Sequence, residues 1–210
     1  MKSMKAIAFT FDDGPIEYKD DSSAMRILHT LKTYGQRATF FYIGEKIKEG
    51  NKSAIEFAAR IGCELGNHGY SHRSFTELTK EEIKEELDKT EKLLSGIMGK
   101  RKTLVRLPYL LYNEFVLNAV NAPIISCNID TRDWDKASVE EIIAAVMKAE
   151  ETGELDGGIV LMHEPYETTA SALQYLIPKL LSKGYQLVTV SELAAIKNIT
   201  LKEHDIYSCF

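Results

Sequence analysis

The 210-residue sequence contains no apolar run of 18 residues, so we expect no membrane-spanning helix. It also lacks a block of basic residues, and its acidic and basic residues are interspersed to a net charge of −5, which disfavours a nucleic-acid-binding surface. The N-terminal segment lacks the long apolar region and the cleavage site of a signal peptide. We therefore expect a cytoplasmic protein, or an extracellular or cell-wall protein whose export segment has been removed.

Cysteine is also scarce. Cys63, Cys127 and Cys209 are odd in number, far apart in the chain and not arranged as C-x-x-C. This spacing argues against a disulfide framework and against a thiolate zinc site. Cys63 and Cys127 lie in apolar surroundings, so they are predicted to be small core residues.

The sequence has no internal repeat, low-complexity tract or Pro/Gly/Ser-rich linker, so residues 1–210 are predicted to form a single domain. Strand-like segments alternate with segments of helical periodicity, which indicates a mainly parallel sheet with helical crossovers. Helix starts are predicted at Ser22 or Ser23, at Thr79 and at Ser138. The seven predicted strands are MKAIAFTF, RATFFYI, CELGNH, TLVRL, PIISCNI, GGIVLM and YQLVTV.

Such a sheet can stay open or close into a barrel. An open nucleotide-binding sheet usually carries G-x-G-x-x-G after its first strand. Here the first strand runs into Asp12-Asp13-Gly14-Pro15, whose carboxylates would repel a phosphate. We therefore predict an α/β fold that closes as a distorted (β/α) barrel of about seven βα units.

Chemically reactive residues follow five different predicted strands. In a parallel barrel the C-terminal ends of the strands converge on one face, where active sites lie. Reactive residues placed by chance would also fall at strand starts and on helix faces. The five groups are Asp12 with Asp13, His68 with His72, Arg106 with Pro108 and Tyr109, Asp130 with Asp133 and Trp134, and His163 with Glu164.

Each group also has a purely structural interpretation. The two aspartates could cap a turn, Arg106 could form a structural ion pair, and Trp134 could pack at a rim. The combination at strand ends favours a shared site, because two histidines and one carboxylate are a standard ligand set for a catalytic divalent metal. Gly69 stands where a zincin has its glutamate, and no G-x-S-x-G elbow is present, which disfavours those two hydrolase classes.

Five motifs together resemble those of the NodB-type polysaccharide deacetylases, carbohydrate esterase family 4. The resemblance covers nearly the whole chain and implies a distorted barrel that removes acetyl groups from carbohydrate with the help of a metal. The motifs are TFDDGP at 10–15, GNHGYSH at 66–72, RLPY at 106–109, DTRDW at 130–134 and IVLMH at 159–163.

The resemblance implies that Asp13, His68 and His72 bind the metal and that Asp12 is the general base. Zinc is the expected ion, with cobalt, nickel or manganese as alternatives. The positive charge of the ion would offset the repulsion between the adjacent carboxylates of Asp12 and Asp13. By the same resemblance, Arg106 pairs with Asp12.

The remaining roles also follow from the resemblance. The backbone N–H of Tyr109 would stabilise the oxyanion, and His163 would protonate the departing amine with Asp133 as its partner. Substrate-binding roles fall to Trp134 and Leu161, which would form an apolar wall beside the acetyl methyl group, and to Pro108.

Three departures from the family pattern concern the shape of the cleft. Leu110 stands where the family often has glycine, Glu164 stands where aspartate usually follows the histidine, and the segment IISCN lacks a tryptophan common there. None of these departures removes a catalytic group.

The expected partner is an acetylated carbohydrate, such as peptidoglycan or chitin oligomers containing N-acetylglucosamine, and the protein is expected to be a monomer. Alternatives are an acetyl-xylan esterase and an amidohydrolase of a small non-carbohydrate amide. A carbohydrate-binding protein without turnover is disfavoured, because its sequence should lack a base, ligand or acid.

Overall fold

In a computed structural model, residues 5–99 and 102–210 are described, and they form eight strands and seven α-helices. The strands are β1 Lys5–Gly14, β2 Thr39–Tyr42, β3 Glu64–Asn67, β4 Ile124–Ile125, β5 Ile129–Asp130, β6 Ile159–His163, β7 Tyr185–Leu187 and β8 Ile206–Tyr207. The helices are α1 Ser23–Thr33, α2 Glu49–Arg60, α3 Lys80–Met98, α4 Glu114–Ala119, α5 Val139–Thr152, α6 Glu167–Ser182 and α7 Val190–Ile196. Within the described ranges, no helix is both long and apolar enough to cross a bilayer.

The strands form a distorted barrel, as the sequence predicts. Five parallel strands lie in the order β3-β2-β1-β6-β5, and β7 pairs with the first residues of β1. Val105 bridges both Asn67 of β3 and Ile124 of β4, and β4 pairs with β8. An antiparallel bridge between Cys209 and Gly158 then connects the C-terminal segment to the start of β6. This bridge closes the ring.

The strand β1 lies at the centre of the sheet and is buried on both faces. Its side chains alternate with the period of two that an extended chain imposes. Ala6 and Ala8 pack inside the barrel, where space is limited, whereas Ile7, Phe9 and Phe11 pack outward against the helices. Full burial of each large side chain stabilises the fold by about 1.5–3 kcal/mol.

Polar caps define where the helices begin. The Ser22 side chain accepts a hydrogen bond from the N–H of Met25 at the start of α1. Reciprocal capping boxes begin α3 at Thr79 and α5 at Ser138. The predicted helix starts are therefore confirmed.

Two predicted strands are shorter or divided in the structure. The segment TLVRL contributes only the bridging residue Val105, because the chain turns at Pro108 soon afterwards. The segment PIISCNI divides into β4 and β5, because β4 pairs with β8 whereas β5 pairs with β6. Strand β8 is not predicted from the sequence, since its partner β4 lies some 80 residues earlier in the chain.

Candidate active site

The irregular end of β1, where the pairing register with β2 shifts between Phe11 and Gly14, brings two consecutive carboxylates to one face of the barrel. Asp12 is still part of the strand ladder and is the register partner of His163 on β6. Asp13 has φ +67, in the left-handed region, so the strict alternation of side chains ends at this residue. This conformation explains how neighbouring residues can serve a single site.

Asp13, His68 and His72 form a cluster whose ligand atoms all lie within 4.8 Å of one another. The Asp13 Oδ1 atom is 3.5 Å from His68 Nε2 and 3.2 Å from His72 Nε2. Burial raises the pKa of the Asp13 carboxyl, but the two imidazoles lower it more strongly, so that the net pKa lies well below its ordinary value. The group therefore carries a full negative charge near neutral pH.

The donor set fits a divalent metal. Asp13 Oδ1 is buried and makes no hydrogen bond to any residue of the described ranges, and such an atom is costly unless a partner satisfies it. One carboxylate oxygen and two imidazole nitrogens are the ligand types that zinc and similar ions take, with positions left for water and substrate.

The ring of His68 is held in the orientation that a metal ligand needs. His68 is buried, and its Nδ1 lies 2.8 Å from the carbonyl oxygen of Arg106. A carbonyl can only accept, so Nδ1 carries the hydrogen, and Nε2, on the side of Asp13, is the nitrogen that would bind an ion. The His72 ring packs against the His68 ring and against Tyr109, with ring centroids 4.9 and 4.7 Å away.

Arg106 is fully buried beneath Asp12 and compensates its charge. Its Nη1 donates to Asp12 Oδ1 at 3.0 Å and to the hydroxyl of Thr10 at 2.6 Å. The other guanidinium nitrogens donate to the carbonyls of Ile125 and Ser126. A buried charge persists only when it is paired and hydrogen-bonded, and here each of the three guanidinium nitrogens donates to an oxygen atom.

His163 is paired with the buried carboxylate of Asp133. The His163 Nδ1 lies 2.7 Å from Asp133 Oδ1, and Asp133 Oδ2 accepts bonds from the His163 backbone N–H and from Thr169. Burial lowers the pKa of the His163 imidazole, but the bond to Asp133 together with the negative charges of Asp133, Asp12 and Asp13 outweighs burial, and the net pKa is raised. The arrangement favours the imidazolium form of His163.

These groups surround one cavity of about 350 Å³. The cavity is lined by Asp12, Asp13, His68, His72, Leu107, Tyr109, Leu110, Asp130, Trp134, Leu161 and His163. Trp134 and Tyr109 are exposed at its rim. Pro108 is buried and is not among the residues that line the cavity. It begins the short helical turn that carries Tyr109.

A larger cavity, of about 510 Å³, lies between α2 and α3 and is lined by none of the predicted site residues. Its walls include several exposed lysines rather than a set of acids, bases and ligands. The smaller cavity is therefore the candidate active site.

Comparison with known proteins identifies the family of this chain. A family profile described as Polysaccharide deacetylase matches residues 2–123, which is more than half of the chain. The chain belongs to the polysaccharide deacetylase family. The match includes the two ligand-bearing segments and the Arg106 segment, whereas Asp133 and His163 lie beyond it.

Relatives of this chain include two curated bacterial proteins. The peptidoglycan-N-acetylmuramic acid deacetylase of Bacillus subtilis is 35% identical over 93% of this chain and 40% of its own length. The chain thus spans less than half of that relative. A peptidoglycan-N-acetylglucosamine deacetylase of Bacillus cereus is 31% identical over 92% of this chain and 90% of its own length.

A solved structure agrees with the fold of this family member over nearly its full length. The family 4 acetyl xylan esterase of Clostridium thermocellum, determined in complex with a cobalt ion, matches with a TM-score of 0.87 and 28% identity. The match covers 98% of each chain. This chain therefore shares the barrel fold of that esterase.

Several polar residues that support the site were not singled out from the sequence. Thr10 accepts from Arg106, and Thr169 donates to Asp133. Asp130, by contrast, was singled out from the sequence. It caps its loop, with Oδ1 accepting from the N–H of Arg132, and it also lines the cavity. Thr169 lies in the first turns of α6 and has no local signal, because only the packing of α6 beside β6 brings it to Asp133.

Proposed function

We propose that this polysaccharide deacetylase hydrolyses the N-acetyl groups of N-acetylglucosamine-containing glycans. The observation that carries the proposal is the convergence on one cavity of three metal donors, an arginine-paired carboxylate and an aspartate-paired histidine. The two curated relatives are named for action on peptidoglycan, which supports a cell-wall glycan as the substrate.

Asp13, His68 and His72 would hold the metal, which we propose is zinc. When bound, such an ion supplies Lewis-acid activation of the acetyl carbonyl and of the attacking water. The cobalt in the Clostridium thermocellum structure supports a divalent ion of this size and ligand preference, since the two metals accept similar donors.

The remaining roles follow from where each group lies. Asp12, oriented by Arg106, takes the proton of the attacking water. The backbone N–H of Tyr109 stabilises the charge that develops on the carbonyl oxygen. His163, held as an imidazolium by Asp133, donates its proton to the departing sugar amine. Leu161 and Trp134 line the cavity as an apolar wall for the acetyl methyl group.

The test is acetate release by the zinc- or cobalt-loaded protein from N-acetylglucosamine oligomers, peptidoglycan and acetylated xylan, with a chelated sample as control. Chelator-sensitive release from the first two substrates is expected. Asp12→Asn should lower that release by about 10²–10⁴-fold while the metal stays bound. A near-normal rate in this variant would remove Asp12 as the base.

A second candidate is an acetyl-xylan esterase, favoured by the likeness to the Clostridium thermocellum esterase. The same attack on a carbonyl cleaves an ester, so the substrate panel decides between the two. Release from xylan alone would select the esterase. Absence of release from every glycan, with metal bound, would favour a hydrolase of a small amide.

A further inference from the structure

The turn that carries Asp12 and Asp13 is tied to the rest of the protein by its backbone. The carbonyl of Asp12 accepts from the N–H of Glu164 at 3.0 Å, and the carbonyl of Gly14 accepts from the N–H of Ile43 at 2.7 Å. Two side chains complete the arrangement. Lys46 Nζ donates to the carbonyl of Asp13 at 2.8 Å, and Glu164 Oε1 accepts from the N–H of Ile16 at 3.2 Å.

Glu164 lies directly over this turn. A Cβ atom placed on Gly14 would lie 2.6 Å from the Glu164 carboxylate, so the turn and the side chain are in close contact. Glu164 is buried, and the hydroxyl of Tyr18, itself close to that of Tyr42, donates to its Oε1. Its carbonyl oxygen accepts from the hydroxyl of Ser23 at 2.7 Å. Main chain and side chain of Glu164 are thus both held in place.

Asp13 needs such support, because its φ of +67 is unfavourable for a residue with a Cβ atom. A left-handed conformation persists when the surrounding bonds determine it. Released from that conformation, the Asp13 carboxylate would swing away from His68 and His72.

The segment that carries Lys46 also contacts the histidine loop. The N–H groups of Gly44 and Glu45 donate to the carbonyls of Gly69 and Tyr70, each at 2.9 Å. This segment therefore connects the turn of Asp13 to the loop between His68 and His72.

We propose that Glu164, with Lys46, is a positioning residue that sets the metal affinity of the site by holding Asp13 in its ligand conformation. The inference rests on the proposed metal site. Neither side chain is among the residues that line the candidate active-site cavity. Their effect is transmitted through the backbone of residues 12–16.

The test compares two substitutions of similar volume at Glu164. Glu164→Gln keeps an oxygen that can accept from Ile16, whereas Glu164→Met does not. Metal affinity is measured without substrate, by competition of zinc or cobalt with a chromophoric chelator. Loss of a group that orients a ligand typically weakens metal binding by about 10–100-fold, and this loss is expected for Glu164→Met. The metal affinity of Glu164→Gln should stay within about twofold of that of the unmodified protein.

Two further variants control for stability. Glu64→Met makes the same change at another hydrogen-bonded glutamate, which lies at the opposite end of β3 from His68. This control should lose stability and keep its metal affinity. Tyr18→Phe removes only the hydroxyl bonded to Glu164, and it should weaken metal binding by a few-fold even where Glu164→Met does not fold.

The cobalt absorption spectrum supplies a second readout, because a displaced Asp13 should change the ligand geometry and therefore the visible bands. Unchanged metal affinity in both Glu164→Met and Tyr18→Phe would overturn the inference. A loss of metal affinity in Glu164→Gln equal to that in Glu164→Met would also overturn it, since the charge of Glu164 rather than its position would then be responsible. If the unmodified protein binds no metal, the proposed metal site itself is wrong, and the two failures are distinguished.

Discussion

Asp12 and Asp13 are neighbours in the chain but have different surroundings. Asp12 is buried and paired with Arg106, whereas Asp13 is partly exposed and contacts two imidazoles. The left-handed backbone at Asp13 places both carboxylates at one cavity. One carboxylate is thereby positioned to move a proton and the other to bind a cation.

Asp133→Asn should change the pH profile of the reaction. The raised pKa of His163 keeps its imidazolium present to higher pH, so activity should fall as pH rises through that pKa. An amide at 133 removes the negative charge that raises the pKa, and this limb of the profile should move to lower pH. The measurement is kcat/KM against pH for the metal-loaded protein.

The matched control is Asp135→Asn, since Asp135 is exposed and pairs with Arg132 instead. In this control, kcat/KM should fall with rising pH over the same range as in the unmodified protein. If the Asp133 variant also kept that limb, a different group would be the acid.

Leu110 lines the cavity with φ +56, a backbone that glycine adopts without strain. Leu110→Gly and Leu110→Ala both shorten the side chain, but only the first relieves the backbone. The glycine variant should be more stable than the alanine variant by about 1 kcal/mol, measured by urea unfolding. Equal stability of the two would show that the conformation at 110 carries no strain.

At the scale of elements, the loop between the two histidine ligands is held by α3. The Glu86 carboxylate accepts bonds from the N–H groups of Tyr70 and Ser71, each at 2.8 Å, and from the Ser71 hydroxyl at 2.7 Å. His72, at the end of this loop, has φ +60. The helix therefore supports a loop that has little regular structure of its own.

Glu86→Ala should loosen this loop. Hydrogen bonds to a charged group contribute about 1.5–3 kcal/mol each, so urea unfolding should show a loss of that order or more. Amide exchange should accelerate at residues 69–72. Glu85→Ala, which removes an exposed partner of Lys89, should cost less than about 1 kcal/mol. Similar losses in the two variants would argue against a specific role for Glu86.

For the whole molecule, the metal site connects elements that are distant in sequence. Asp13 lies near the end of β1, whereas His68 and His72 follow β3, and β2 lies between these strands in the sheet. An ion bound by all three residues binds the folded chain only, because unfolding separates its ligands. Metal binding should therefore stabilise the entire barrel.

Zinc at about 100 times its Kd should raise the free energy of unfolding by about 2.7 kcal/mol. The measurement is the thermal midpoint of the protein with zinc and with a chelator. His68→Ala should abolish the difference between the two conditions. A full zinc-dependent shift in this variant would place the ion elsewhere.

The local patterns of the sequence determined a large part of this description. The alternation of strand and helix predicted a mainly parallel sheet with helical crossovers, because apolar periodicity reflects which face of an element is buried. Ser22, Thr79 and Ser138 predicted where their helices begin, since a capping side chain bonds to N–H groups within one turn. The five motifs predicted which residues would meet, because strand ends converge on one face of a barrel.

Tertiary structure alone decided the features that depend on contacts between distant segments. The pairing of β8 with β4, the bond of Thr169 to Asp133 and the position of Glu164 over Gly14 each join residues far apart in the chain. The left-handed backbone at Asp13 also depends on contacts with distant segments of the chain. Local preference opposes this conformation, and bonds from Lys46, Glu164 and Ile43 to the surrounding turn hold it in place.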